Sequence, residues 1–152
     1  MLFRSDLEPD NVRAFKKWLG QLPDMKSTSV PRCIAPTTYK TARSTDLHVF
    51  CDASDKALAA VSYVRYECQD TIHCAYVMGK AKVAPLKSQT IPRLELMAAV
   101  LGVELYSILA RELTTTFDNV CFWSDSMTAL SYIQNHDIRL PVFECNRVRA
   151  II

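Results

Sequence analysis

The sequence predicts an α/β fold, a mixed sheet with helices packed on it. Three observations lead there. Apolar, loosely alternating runs separated by a polar turn lie between Asp46 and Met78; a long run with apolar residues at helical spacing starts at Pro92; and a short, wholly apolar run, Val120-Cys121-Phe122-Trp123, precedes further helical stretches. Strands, helix, strand, helix is the order of a sheet that must reach its last strand by a helical crossover.

The elements follow in order. A short amphipathic helix is expected over Asp10 to Leu19, with Val12, Phe15, Trp18 and Leu19 on one face and Gly20 and Pro23 as its stop. Pro31 to Thr45 holds two prolines and many Ser and Thr residues, and reads as an irregular connector. Leu47-His48-Val49-Phe50-Cys51 is the first strand, ending in the turn chemistry of Asp52-Ala53-Ser54-Asp55. Ala57 to Tyr66 is the second, Glu67 to Asp70 a turn, and Thr71 to Met78 a third strand returning antiparallel. A loop with Lys80, Lys82 and Lys87 leads to the long helix, where Pro92 suits the first turn because its missing N–H has no partner to lose there. Leu94, Met97, Ala98, Leu101, Leu105, Ile108 and Leu109 form its buried stripe, and Thr114 to Thr116 end it. The apolar fourth strand suits an element covered on both faces. Ser126 is the expected N-cap of a helix to about Asn135, and Phe143 to Ile152 is one more helix.

Bulk properties narrow the class. Of the 152 residues, 49% are hydrophobic and 22% charged, a globular balance with enough apolar material for one core, with an extension. The net charge of +2 gives no sequence-wide basic field, so any nucleic-acid contact must come from a local patch. Six cysteines without a Cys-x-x-Cys pair argue against zinc, and Cys51, Cys74 and Cys121 sit in apolar runs as small hydrophobes. No signal-type apolar core and no run of membrane-spanning length occur, so the expectation is an intracellular chain, cytoplasmic or nuclear, not secreted and with reduced thiols.

Three acids stand at telling places. Asp52 ends an apolar strand, Asp125 follows another, and Glu95 lies in the first turns of the long helix. Taken singly, each aspartate is a turn or cap residue and Glu95 a partner for the helix dipole. Together, with the first and fourth strands as neighbours, they would meet at one point, repel, and take up a hard divalent cation such as Mg²⁺. Two such ions can activate water and stabilise the leaving oxygen of a phosphodiester.

At these residues the chain resembles the ribonuclease H domain of BEL/Pao-type retrotransposon polyproteins. The resembling stretches are Leu47-His48-Val49-Phe50-Cys51-Asp52-Ala53-Ser54, Lys80-Ala81-Lys82-Val83-Ala84-Pro85-Leu86-Lys87, Thr90-Ile91-Pro92-Arg93-Leu94-Glu95-Leu96, Phe122-Trp123-Ser124-Asp125-Ser126, and Phe143 to Ala150 around Asn146-Arg147-Val148. The resemblance implies a ribonuclease H-like mixed sheet, three antiparallel strands then a parallel one, in residues 46–152. Residues 1–45, with Trp18 and Val30-Pro31-Arg32-Cys33, resemble the segment joining the reverse transcriptase to this domain. The implied activity is Mg²⁺- or Mn²⁺-dependent cutting of the RNA strand of an RNA–DNA hybrid. Asp52, Glu95 and Asp125 fall on three of the family's four metal carboxylates. Lys80, Lys82, Lys87 and Arg93 are candidates for the hybrid's phosphates, though a solvated loop explains each as well.

Two departures qualify this. The family's fourth carboxylate lies beyond a fifth strand, on a last helix, and the sequence ends at Ile152 before either; Asp137, in a loop, is a poor substitute. The expectation is a C-terminally truncated domain with impaired catalysis and with the fourth strand as an apolar edge. Whether the chain is an enzyme is therefore left open, the alternative being a non-catalytic nucleic-acid-binding or structural remnant of such a polyprotein. Ala59 stands where the family tends to carry Gly, which Ala can replace if the backbone stays at negative φ. Nucleotide-driven phosphoryl transfer, as in sugar kinases, needs Gly-rich loops that three glycines do not supply. A retroviral-type aspartic protease fails because Asp55 follows Asp52-Ala53-Ser54 where that loop needs Gly.

Overall fold

The computed structural model describes residues 9–27, 29, 33–35, 42–135 and 139–152. It divides into two compact units, Met1–Cys33 and Ile34–Ile152. Most of the expected Pro31 to Thr45 connector, the Val30-Pro31-Arg32 stretch and Asp137 lie outside the described residues.

The first unit holds helix α1, Pro9–Gln21, continued by a 3₁₀ turn over Leu22–Ser27. Gly20 does not end the helix as expected; it sits in the last turn, and the chain tightens only around Pro23. The rings of Phe15 and Trp18 stack at 5.7 Å, and no residue of α1 is buried.

The second unit is built on four strands, β1 (Ser44–Ala53), β2 (Ala57–Cys68), β3 (Thr71–Val83) and β4 (Asn119–Trp123). Their order across the sheet is β3-β2-β1-β4, with β1–β2 and β2–β3 antiparallel and β1–β4 parallel. This is the mixed sheet the sequence predicts. The long helix α2 (Ile91–Glu112) makes the crossover to β4, and α3 (Met127–Gln134) and α4 (Val142–Ile151) follow. The β2–β3 turn is Gln69-Asp70, and Gln69 adopts φ 31°, the only positive φ of a non-glycine among the described residues. Ala59 therefore keeps the backbone that an alanine tolerates.

Strand β3 is longer than the sequence suggested. Lys80 and Lys82 are in the strand, not in a loop, paired with Ala60 and Leu58. The lysines alternate with Gly79, Ala81 and Val83, a period of two, and their ammonium groups reach Glu104 of α2.

The core lies between the sheet and α2. Leu47, Val49 and Cys51 of β1, with Leu58, Ala60, Val64 and Tyr66 of β2, meet Leu94, Ala98, Leu101, Leu105 and Leu109. Met97 and Ile108, expected in the same stripe, are only partly buried. Leu96, Ala129 and Val148 are buried outside that cluster, where α3 and α4 pack against α2. Alternation along the strands sends Phe50, Tyr63, Tyr76 and Trp123 to the opposite face, where all four are exposed. They form a cross-strand row, with Phe50 stacked on Trp123 at 6.0 Å and edge-on to Tyr63 at 6.1 Å. So β4 is not covered on both faces: Trp123 is 49% exposed, and the strand is the sheet's edge among the described residues. Cys74 is likewise exposed rather than packed inside.

Candidate metal centre

The site is assembled by the parallel pair. Phe50 lies opposite Trp123 in the β1–β4 register, so two residues further on Asp52 and Asp125 stand level as both strands end. Parallel strands release their C-terminal ends on one side of a sheet, a common place for a binding site. Ser124 and Ser126 fix the chain at Asp125: the Ser126 N–H donates to Ser124 Oγ at 3.2 Å, and Ser126 Oγ accepts the Ala129 N–H as the N-cap of α3. The expected cap is therefore present. On β1, the Ala53 N–H donates to Asp52 Oδ1 at 2.8 Å. The N-terminal part of α2, crossing behind, delivers Glu95.

Asp52, Glu95 and Asp125 each bring a carboxylate oxygen to within 4.8 Å of the others. Both aspartates are exposed and Glu95 is 7% exposed. Burial raises the pKa of Glu95, and the charges of Asp52 and Asp125 raise it further, against an Ala53 N–H that favours the ionised form. Glu95 Oε2 is buried without a hydrogen-bond partner, and no ion pair among the described residues involves any of the three acids. A buried, unpaired carboxylate oxygen beside two more carboxylates is an arrangement a hard cation relieves. The donors are all oxygen, which suits Mg²⁺ or Mn²⁺. Neighbouring Cys51 does not compete, since burial pushes its thiol up to about 11 and leaves it protonated. An open groove of about 370 Å³ starts at Asp52, Ser124 and Asp125 and runs along Phe50, Ala59, Val61 and Trp123.

The raised pKa of Glu95 ties stability to pH. The folded domain holds this proton more tightly than the unfolded chain, so ionised Glu95 costs stability above its raised value. The cost shrinks as pH falls and is gone below the ordinary 4.5. Without metal, Glu95→Gln should therefore melt above the wild type at neutral pH, and the gap should close as pH approaches 4.5. Melting curves of the two proteins across pH 4–8 test this; a gap independent of pH would contradict it.

The expected cations are placed differently. Lys80 and Lys82 both donate to Glu104 Oε2, at 3.1 and 3.0 Å. Lys87 is exposed in the segment before α2, with no ion pair among the described residues. Arg93 Nε donates to Glu144 Oε1 at 2.8 Å. Glu144, the third residue of α4, is buried, and sequence reasoning passed over it. An acid in a first helical turn reads as a dipole partner, and nothing local announces burial.

A family model described as the Pao retrotransposon-like RNaseH-like domain matches residues 2–126. The chain belongs to this family. The match takes in all three acids of this Pao-type domain, and helices α3 and α4 lie beyond it. No curated protein matches the chain.

Proposed function

We propose that this Pao-type ribonuclease H-like domain binds Mg²⁺ through Asp52, Glu95 and Asp125 and hydrolyses the RNA strand of RNA–DNA hybrids. One observation carries the reading: three carboxylates from three distant stretches of chain converge, with a buried oxygen of Glu95 left unpaired. Bound there, Mg²⁺ or Mn²⁺ would polarise the phosphodiester and lower the pKa of an attacking water. The chain's own part is positioning. Asp52 is steered by the Ala53 N–H, which occupies one oxygen and leaves the other for the ion. Glu95 contributes a charge from the apolar side, and Asp125 closes the triangle from the exposed side.

Lys80, Lys82, Lys87 and Arg93 are the cations proposed for the hybrid's phosphates. Lys87 is exposed and has no ion pair among the described residues. Lys80 and Lys82 would share phosphate with Glu104, whose acidity they already strengthen by hydrogen bonding. In a parent polyprotein, residues 1–45 would join this domain to a reverse transcriptase. No helix among the described residues is long and apolar enough to cross a membrane.

A second reading, a non-catalytic nucleic-acid-binding remnant, is favoured by the make-up of the cluster. Among the described residues the cluster gathers three carboxylates, enough to seat one ion, whereas the resemblance implies four for two. End-labelled hybrid, duplex DNA and duplex RNA, each incubated with the protein and Mg²⁺ or Mn²⁺, separate the readings. Cleavage confined to the RNA of the hybrid, and lost in Asp125→Asn, supports the enzyme. Hybrid bound but uncut, with affinity falling steeply as salt rises, supports the remnant.

A further inference from the structure

The N-terminal turn of α2 leads into Glu95, yet it lacks the usual side-chain cap. Thr90 occupies the N-cap with no side-chain hydrogen bond, and only the backbone bonds of Arg93 and Leu94 to the Thr90 carbonyl start the helix. Such a turn frays unless something outside the helix holds it. The contacts made there come from α4. Arg93 Nε donates to Glu144 Oε1 at 2.8 Å, and the Glu144 side chain is 8% exposed. The Arg93 guanidinium also lies 4.8 Å from the centre of the Phe143 ring, and that of Arg147 lies 3.5 Å from it. Pro141, at the N-cap of α4, offers no side-chain cap either. The two uncapped helix starts are thus joined through one partly buried ion pair.

We propose that Arg93 and Glu144 are positioning residues for the metal centre, holding the first turn of α2 so that Glu95 is presented to Asp52 and Asp125. This rests on the reading of those three acids as metal ligands. It goes beyond that reading by assigning the affinity of the site partly to α4, an element that supplies none of the three ligands. The Glu144 carboxylate is well suited to the task, because Arg93 holds it ionised below the ordinary glutamate range. Groups that orient a metal ligand typically govern affinity by about 10–100-fold.

The experiment compares Mg²⁺ affinity by calorimetry, and Mn²⁺ affinity by electron paramagnetic resonance, in the wild type, Glu144→Gln, Arg93→Lys and Val148→Ala. Val148 is buried on α4, so its truncation loosens α4 without touching the ion pair. Glu144→Gln should weaken both ions about tenfold. Arg93→Lys should fall between it and the wild type, and Val148→Ala should lower the melting temperature with little change in affinity. Equal affinity losses in Glu144→Gln and Val148→Ala, or none in Glu144→Gln, would overturn the proposal. Amide hydrogen exchange of residues 93–96 gives a readout independent of metal. Glu144→Gln should speed exchange there, and unchanged exchange counts against the clasp. Should the wild type bind neither ion, the metal reading fails by itself, and this exchange measurement still decides whether the clasp holds the turn.

Discussion

Asp52→Asn should raise the melting temperature of the metal-free protein by about 2 °C and abolish the much larger rise that Mg²⁺ gives the wild type. The two effects have one cause. Without an ion, three carboxylates whose oxygens lie within 4.8 Å of one another repel, and neutralising one relieves the folded state. With an ion, the wild type gains RT ln(1 + [Mg²⁺]/Kd), about 2.7 kcal/mol at a hundred times Kd. That corresponds to roughly 10 °C for a domain of this size, and Asp52→Asn forfeits most of it. The stability curves of the two proteins should therefore cross as Mg²⁺ is titrated. Glu95→Gln should behave alike, with a larger metal-free gain because Glu95 is buried where the aspartates are exposed. Thermal melts across a Mg²⁺ series give the crossing; parallel curves would show that no shared ion joins these acids.

Gly102→Ala carries the second large effect. Gly102 is buried at the point where α2 comes closest to β1, and a Cβ there would collide with Cys51 Sγ and sit 3.4 Å from Val49 Cγ1. Overpacking of this kind costs about 1–3 kcal/mol, against about 1 kcal/mol returned by the better helix propensity of alanine. A net loss of up to about 2 kcal/mol is expected. Cys51 precedes Asp52, so the same shift should disturb the metal centre and weaken Mg²⁺ binding. Removing the obstacle tests the cause. In Cys51→Ala/Gly102→Ala the new methyl takes the place of the sulfur, and stability should return to within about 0.5 kcal/mol of Cys51→Ala alone. Additive losses in the double variant would show that the collision is not what makes glycine necessary.

What was legible in the sequence was whatever a local pattern encodes. Leu47 to Cys51 and Val120 to Trp123 announced strands by apolar runs, and Ser126 announced its cap by standing before a helical stretch; all three are in the structure. The acids were legible only jointly, because each alone is ordinary and their order along the chain is not. Features set by distant residues were not legible. Lysines at 80 and 82 suggested a solvated loop, and the Glu104 that draws them onto the α2 side of the sheet is 24 and 22 residues away. The ion pair of Arg93 was not legible either, because its partner Glu144 is 51 residues on. The half-exposed Trp123 was missed because an apolar run reports a strand, not how many of its faces are covered. Nothing local to Gly102 tells why it is glycine, since the reason lies in Cys51 on the facing strand.

Whether one cation is shared by three distant stretches of chain is most directly read from paramagnetic broadening. In a ¹⁵N-labelled sample titrated with substoichiometric Mn²⁺, the amides of Ala53, Glu95 and Ser126 should broaden together at the same Mn²⁺ concentration, and excess Mg²⁺ should restore all three. Broadening that reaches only one of these stretches, or that centres elsewhere on the molecule, would contradict a common site.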